Sequence, residues 1–253
     1  MPLRRAWGLL PLVLLFIAWE VAVEFKVYPQ VLLPSPAKVA AVFVNDWDTL
    51  LDNALASLAR VATGISCSFL VAVPLGILIG RYRILDLLTD WSIQIFRSVP
   101  PISLIPMAIL LLGIGDKPAI SLIFLSGLWP LLINTIFGVR GIERTLMKVA
   151  RAARAGEFLV MRDIILPAAL PSIFTGLRLA VGAGWLTVVT AEMIAVKSGL
   201  GYMILNGQLT FRSDLIIAGI VVIGGIGLLA DQLVRLVRAR VCRWQEGLTA
   251  API

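Results

Sequence analysis

Long apolar stretches separated by short polar segments dominate the pattern of the chain. A bilayer core of about 30 Å is crossed by about 20 apolar residues in a helix. Six stretches approach that length, and they cover residues 7–23, 61–80, 87–113, 118–139, 170–194 and 215–234. Three prolines, Pro100, Pro101 and Pro106, interrupt the third stretch. The pattern predicts an all-α polytopic membrane protein with about six transmembrane helices.

The first stretch could be a cleaved signal peptide or an uncleaved anchor. Its apolar region is long, no small-x-small cleavage site precedes Glu24, and Trp19-Glu20 interrupts the usual pattern. We therefore expect residues 1–24 to form an N-terminal anchor helix. Next, Ser35-Pro36 is typical of an N-cap followed by proline at the first helical position. Two short helices, over 36–45 and 48–60, are predicted along the outer surface before the second span.

Composition supports a membrane class and a single domain over residues 1–253. Hydrophobic residues make up 59% of the chain and charged residues 15%, against about 25% charged in ordinary soluble domains. The net charge of +7 would suggest nucleic acid in a soluble protein, but membrane proteins concentrate Lys and Arg in cytoplasmic loops. We expect no nucleic-acid partner. Most cations fall in the segments that lie on the same side of the membrane as the N-terminus. With six spans the C-terminus lies on that side too, so both termini are predicted to be cytoplasmic.

Few residues in this chain can carry chemistry. It contains no histidine, which removes the commonest general base and metal ligand. Its two cysteines, Cys67 and Cys242, are expected at different depths in the membrane and predict neither a disulfide nor a metal cluster. No H-E-x-x-H, G-x-S-x-G or phosphate-cradling G-x-x-x-x-G-K-[ST] motif is present. We expect no enzyme, metal site or cofactor in this chain.

The segment 140–167 is too polar to span a membrane, and its spacing predicts an amphipathic helix over 143–155. Three cations, Arg144, Lys148 and Arg151, fall within about 60° on a helix. Four apolar residues fall on the opposite side, namely Leu146, Val149, Ala150 and Ala153. Gly156 is the expected left-handed C-cap. A second short helix should end at the Leu166-Pro167 break. Such a helix either rests on lipid headgroups or docks into a partner protein, and its small apolar residues favour docking.

Several motifs resemble the EAA-type loop family of binding-protein-dependent ABC transporter permeases. The loop itself matches over 149–156 (VARAARAG) and 164–171 (IILPAALP). The other matches are spread over nearly the whole chain, at 32–36 (LLPSP), 97–101 (RSVPP), 112–115 (LGIG), 134–135 (NT), 175–178 (TGLR), 191–193 (AEM) and 198–202 (SGLGY). They are most similar to the branch that imports nitrate, sulfonates, taurine and bicarbonate.

The resemblance implies a type I ABC importer permease fold in a bacterial inner membrane, with the core permease region over 55–240 and a coupling loop over 140–167. It implies two permease subunits, two separate ATPase subunits that bind ATP and Mg, and an extracytoplasmic solute-binding protein. The ATPase would grip one run of coupling-loop residues, Val149, Ala150, Arg151, Ala152, Ala153, Arg154, Ala155 and Gly156. The sequence departs from the family at Arg154, where the family has glycine, and at Lys148, where the family has an acid.

Three charged residues fall inside predicted spans, at Arg97, Arg178 and Glu192. Charges at this depth are costly in lipid and mark a functional interior by default, so they are candidates for a translocation path that conducts an anion. Each could instead form a buried structural pair or reach towards the membrane interface.

Gly176, Ala180 and Gly184 repeat every four residues along the fifth span. Small residues at this spacing let two helices approach closely. Packing inside the subunit and packing between two permease copies remain equal alternatives.

Overall, the sequence predicts the membrane subunit of an ABC importer for a small anion. The alternative is a channel or secondary transporter for small anions that works without ATP. That alternative explains the spans and the buried charges, but it does not explain a basic loop helix lined with alanines.

Overall fold

The computed structural model describes residues 10–243, and this part of the chain is helical without a strand. In chain order its helices are α1 (Leu10–Glu24), α2 (Pro36–Asn45), α3 (Trp47–Arg81), α4 (Arg83–Arg97), α5 (Ile105–Leu112), α6 (Asp116–Arg140), α7 (Arg144–Ala152), α8 (Glu157–Val160), α9 (Leu166–Ala195), α10 (Leu200–Leu209) and α11 (Ser213–Val241). A 3₁₀ turn, Pro101–Leu104, precedes α5, and a π-helical turn, Met161–Ile165, joins α8 to α9.

Four helices between residues 10 and 243 are long and apolar enough to cross a membrane, namely α3, α6, α11 and the continuous segment Glu157–Ala195 that ends in α9. They correspond to the second, fourth, fifth and sixth predicted spans. The described part of α1 has 15 residues; the start of the first predicted span, residues 7–9, lies outside the described residues. The predicted all-α membrane class is confirmed.

The third predicted span is bent rather than straight. Helix α4 and the segment Pro101–Leu112 meet at 78°. Pro100 and Pro101 explain the bend, because proline donates no backbone hydrogen bond and disfavours helix in the residue before it. A hydrophobic stretch that was predicted as one broken span is therefore two short helices.

The predicted separate helix over 48–60 was wrong, because α3 runs without interruption from Trp47 to Arg81. Leu50, Ala54, Ser57 and Val61 are all buried. Their spacing keeps them on one helix face, so the buried face of the outer segment continues directly into that of the membrane segment. By contrast, the predicted start of α2 is confirmed: the Ser35 hydroxyl accepts a hydrogen bond from the Lys38 backbone N–H, and Pro36 is the first helical residue.

The predicted break at Leu166-Pro167 was also wrong. The π-helical turn has the Leu166 N–H bonded to the Met161 carbonyl, five residues back. A π-helical turn widens the helix locally, and this offers room for the Pro167 ring, which would otherwise meet the carbonyl four residues before it. The chain therefore continues from α8 into α9 as one helical segment, which joins the loop rigidly to a membrane span.

Candidate functional site

The loop between α6 and α9, residues 141–165, will be called the α7 loop, and the side of the bundle where it lies the loop end. Ala150 of α7 is 5% exposed and belongs to an apolar cluster with Val139, Val160 and Ile165. Met147 packs against the same cluster. One face of α7 is therefore seated on the ends of α6 and α9.

The remaining apolar residues of α7 point away from the bundle. Val149 is 62% exposed and Leu146 47% exposed, and Ala152 and Ala153 are exposed as well. Sequence periodicity had grouped Ala150 with this face, and the structure instead places Ala150 beneath the helix. Helix α7 spans Arg144–Ala152, shorter than the predicted 143–155.

The turn that ends α7 has its left-handed residue at Arg154, with φ of 50°. Gly156, the expected C-cap, has an ordinary φ of −64°, so that prediction was wrong. The Ala155 N–H donates to the Ala150 carbonyl at 3.0 Å, which is the six-to-one bond of a Schellman motif with Arg154 at the C′ position. The residue that departs from the family's glycine thus occupies the position where glycine is most favourable.

Two ion pairs attach the α7 loop and α4 to the membrane helices. Arg81 at the end of α3 lies 3.0 Å from Glu157 at the start of α8. Arg140 at the end of α6 pairs with Asp86 in the first turn of α4. These side chains are partly exposed, so each pair contributes little stability by itself, but together they fix where α4 and α8 start.

A buried ion network lies at the opposite end of the bundle, centred on Glu192. Glu192 is 0% exposed and Arg60 5% exposed. Arg60 Nη1 donates to Glu192 Oε1 at 2.6 Å, and the Ser57 hydroxyl donates to Oε2 at 2.9 Å. Arg60 also donates to Asp116 at 2.7 Å and to both oxygens of Ser198. The network joins α3, α6 and α9 to the segment before α10.

The same network caps the start of α10. The Gly201 N–H donates to Glu192 Oε2 at 3.0 Å, the Leu200 N–H to the Ser57 hydroxyl at 2.9 Å, and the Gly199 N–H to Asn53 at 2.7 Å. These N–H groups have no partner within their own helix. At Gly199 a Cβ would lie 2.2 Å from Glu192 Cδ, and φ is 105°, so only glycine fits.

Sequence reasoning named Glu192 but did not single out Arg60. Its partner residues lie between 56 and 138 positions away, so no local spacing connects them. Arg60 is a charged residue among the buried positions of α3, and this is the one sequence signal that could have identified it. Of the alternatives for Glu192, its contacts support a buried pair.

The other two intramembrane charges have different surroundings. Arg178 on α9 is hydrogen-bonded to Asp231 on α11, and Asp231 also pairs with Arg235. Arg178 therefore ties two helices together. Arg97 ends α4 and is exposed; no carboxylate between residues 10 and 243 lies within salt-bridge distance of it. The structure does not bring Arg97, Arg178 and Glu192 together at one place.

The small-residue stripe of α9 packs inside the subunit. A Cβ on Gly176 would lie 2.9 Å from Asn134 Cβ on α6, and one on Gly184 would lie 2.9 Å from Ile65 on α3. Ala180 is 0% exposed. These contacts support packing within one subunit, the first of the two alternatives.

A second ion network, at the same end of the bundle as Glu192, is partly exposed. The Arg212 guanidinium donates to both Asp46 oxygens, at 3.2 and 2.8 Å, and to Asp214 at 3.1 Å. These hydrogen bonds hold the pKa of the Asp46 carboxyl below its ordinary value, against a smaller opposing effect of burial. The contact holds the end of α2 against the start of α11.

A bundle of apolar helices whose α6–α9 loop carries a basic amphipathic helix defines a polytopic membrane protein. In residues 10–243 no group of acids and cysteines is arranged to hold a metal. The long helices are built for close packing in lipid, with small residues at their contacts.

Comparison with known proteins places this architecture in a family. Residues 72–243 match the family described as the binding-protein-dependent transport system inner membrane component, and the chain belongs to that family. The bicarbonate transport system permease protein CmpB of Synechococcus elongatus is 37% identical over 78% of this chain and 69% of its own length. The taurine transport system permease protein TauC of Escherichia coli is 32% identical over 92% of this chain and 86% of its own.

Solved structures agree on the fold. A chain of the MetNI methionine ABC transporter, from crystals of its inward-facing conformations, superposes with a TM-score of 0.63 at 20% identity over 77% of this chain and 95% of that one. The predicted type I ABC importer permease fold and the family resemblance are confirmed. This chain is an ABC importer permease subunit and not an enzyme.

Proposed function

We propose that this chain forms half of the translocation path of an importer for a small anion. A solute-binding protein would deliver the anion, a second permease copy or paralogue would complete the path, and two separate ATPase subunits that bind ATP and Mg would drive it. The chain would lie in a bacterial inner membrane with both termini in the cytoplasm.

The observation that carries the proposal is the two-sided packing of α7. Its inner face is fixed to the bundle through Ala150, and its outer face leaves Val149 and Ala152 exposed. A partner that grips the outer face could move α6 and α9, because Ala150 packs against Val139 of α6 and Val160 of α8 and α8 continues into α9 through the π-helical turn. A helix lying on lipid would bury bulky apolar residues in the headgroup region, whereas two of the four exposed apolar residues here, Ala152 and Ala153, are alanines.

Charge supports the proposed orientation. Arg81, Arg83, Arg140 and Arg162 lie on or beside the loop end, and the positive-inside rule assigns such an end to the cytoplasm. An ATPase fuelled by cytoplasmic ATP would reach α7 only in this orientation.

The substrate class rests on the relatives. Two of them are named for the transport of bicarbonate and taurine, an anion and a sulfonate. In this chain Arg97 is a membrane cation with no carboxylate within salt-bridge distance among the described residues, which favours an anionic group on the solute.

The energy required shows why α7 is critical. Moving a two-state equilibrium from 1:99 to 99:1 takes about 5.5 kcal/mol of differential binding. If that energy enters through one small helix, a charge placed in the contact should disable it. The substitution Ala152→Asp does so at an exposed position, so it leaves the packing of Ala150 unchanged.

The test is co-purification of the tagged chain with its ATPase subunit from membranes, together with uptake of labelled bicarbonate and taurine. We expect Ala152→Asp to reduce recovery of the ATPase by at least tenfold while the protein still reaches the membrane. Ala152→Ser adds one oxygen without charge and should retain it. Ala37→Asp, the same change at an exposed site on α2, should also retain it. Normal ATPase recovery and uptake with Ala152→Asp would refute the docking role, and wild-type protein that never recovers an ATPase would favour the ATP-independent transporter.

A further inference from the structure

Helix α4 has a polar face and no buried residue. Asp86, Asp90, Gln94 and Arg97 recur at spacings of four, four and three residues, so they share one side of the helix. The other side carries Leu88 and Trp91 among its apolar residues, exposed by 71% and 75%.

The end of α4 lies against the outside of α6, near the middle of that helix. Phe96 stacks on Trp129 with ring centroids 6.4 Å apart and planes 2° from parallel. Trp129 lies near the middle of α6, about 17 to 20 Å from either end at 1.5 Å per residue. The start of α4 is held at the loop end by the pair of Asp86 with Arg140. The polar face therefore runs from the loop end to about mid-depth of the membrane.

A polar face at this depth cannot contact lipid tails, because intramembrane charges face the protein interior or a water-filled cavity. A cavity of about 350 Å³ lies along this face. The polar residues of α4 line one wall, and Ile133, Ile136 and Arg140 of α6 line the other.

Charges along the cleft are compensated unequally. Asp86 is paired with Arg140. Asp90 lies about two helical turns nearer the loop end than Arg97, and its carboxylate accepts a hydrogen bond at 2.8 Å from the Gln94 amide, which is neutral and leaves the carboxylate charged. Arg97 is the deepest of these charges, and its nearest polar neighbour on the face is Gln94, one turn away. A charge in a low-dielectric cleft is screened less than a charge in bulk water and attracts counter-ions more strongly.

We propose that the polar face of α4 lines the solute path between mid-membrane and the loop end, and that Arg97 binds the oxyanion group of the solute there. This proposal rests on the proposed import function and identifies Arg97 as the residue of the translocation path that binds the solute. The solute class is a small oxyanion such as a carbonate or a sulfonate, whose oxygens a guanidinium can bind in pairs.

Arg97 has a competing structural explanation, because a cation at the C-terminus of a helix stabilises the helix dipole. That role would change stability alone, so the test must detect an electric field acting on a mobile ion inside the cleft.

Cysteine accessibility in the full chain, in membranes and with its ATPase subunit, provides this readout. Cys67 and Cys242 are first replaced by serine. Asp90→Cys and Gln94→Cys sample the polar face, and Leu88→Cys and Trp91→Cys sample the apolar face as matched controls of high exposure. Each variant is treated with a negatively charged and a positively charged methanethiosulfonate reagent, both unable to cross the membrane.

We expect the polar-face cysteines to react at least tenfold faster than the controls. At Gln94→Cys, adding Arg97→Gln should lower the ratio of anionic to cationic reaction rates by about tenfold, because neighbours three residues apart lie only about 5–6 Å from each other. Arg97→Lys should preserve the ratio. Equal reactivity on both faces, no reaction at positions 90 and 94, or a ratio unchanged by Arg97→Gln would each overturn the proposal. ATPase co-purification is measured in the same membranes, so failure here is distinguishable from failure of the docking proposal.

Discussion

Replacing Glu192 by alanine should destabilise the protein at the end opposite the α7 loop. The carboxylate accepts hydrogen bonds from Arg60, Ser57 and the Gly201 N–H. Its removal leaves the Arg60 guanidinium, 5% exposed, with part of its charge uncompensated. It also removes one of the three hydrogen bonds that cap the start of α10.

The magnitude follows from the burial of both partners. Breaking a buried ion pair by removing one member costs about 3–5 kcal/mol. Here Arg60 keeps Asp116 and Ser198 as partners, which places the cost towards the lower value of that range. Glu192→Gln preserves the shape and one oxygen acceptor, so it should cost less than Glu192→Ala.

The assay is the free energy of unfolding of the purified protein in detergent micelles, measured by denaturant titration, with α10 followed separately by hydrogen exchange. A double-mutant cycle with Arg60→Met and Glu192→Met isolates the pair, because replacing both charges by apolar groups should recover much of the loss. The reasoning is refuted if Glu192→Ala unfolds at the wild-type midpoint, or if the two methionine substitutions are simply additive.

Two further changes test local energetics. Arg154→Gly should relieve a left-handed conformation that costs about 1–2 kcal/mol for a residue with a side chain, and it should slow hydrogen exchange in α7 about fivefold or more. Gly156→Ala changes a residue with an ordinary φ and should leave the exchange rate unchanged. Equal effects of the two substitutions would contradict the assignment of the left-handed position to Arg154. The depressed pKa of Asp46 means that its bond to Arg212 stabilises the fold above the ordinary pKa of 3.8 and that this contribution fades as pH falls through the lower folded pKa. The melting-temperature difference between wild type and Asp46→Asn should therefore shrink as the pH is lowered from 6 to below the folded pKa of Asp46. A difference that stays constant over this range would contradict the stabilising role of the Asp46–Arg212 pair.

Hydrophobic length and motif spacing sufficed for the class and the main spans. The central segments of α3, α6, α9 and α11 lie where the apolar runs predicted them, because a predominantly apolar run of that length is driven out of water. The proline pair also marked the bend after α4, because its effect is local to the backbone.

Local sequence signals were less reliable where packing against a neighbouring helix decides the conformation of a segment. Residues 48–60 were predicted as a separate surface helix, but they form the first part of α3, because their buried face continues into that of the membrane segment. A π-helical turn accommodates Pro167 without a break in the helix. Arg154, and not Gly156, adopts the left-handed conformation at the end of α7. Each outcome depends on which packing is available to the adjoining helix, and the sequence of the segment does not contain that information.

The sequence by itself determined that this chain is a helical membrane protein of the importer permease family, with a basic loop helix whose apolar face carries alanines. It could do so because hydrophobic length, periodicity and contiguous motifs are properties of neighbouring residues. Only the tertiary structure decided that Arg60 meets Glu192, that α7 is seated through Ala150, and that the charges of α4 share a cleft with α6. Those contacts join residues far apart in the chain, and they arise when packed helices bring costly polar groups to the few partners that can compensate them.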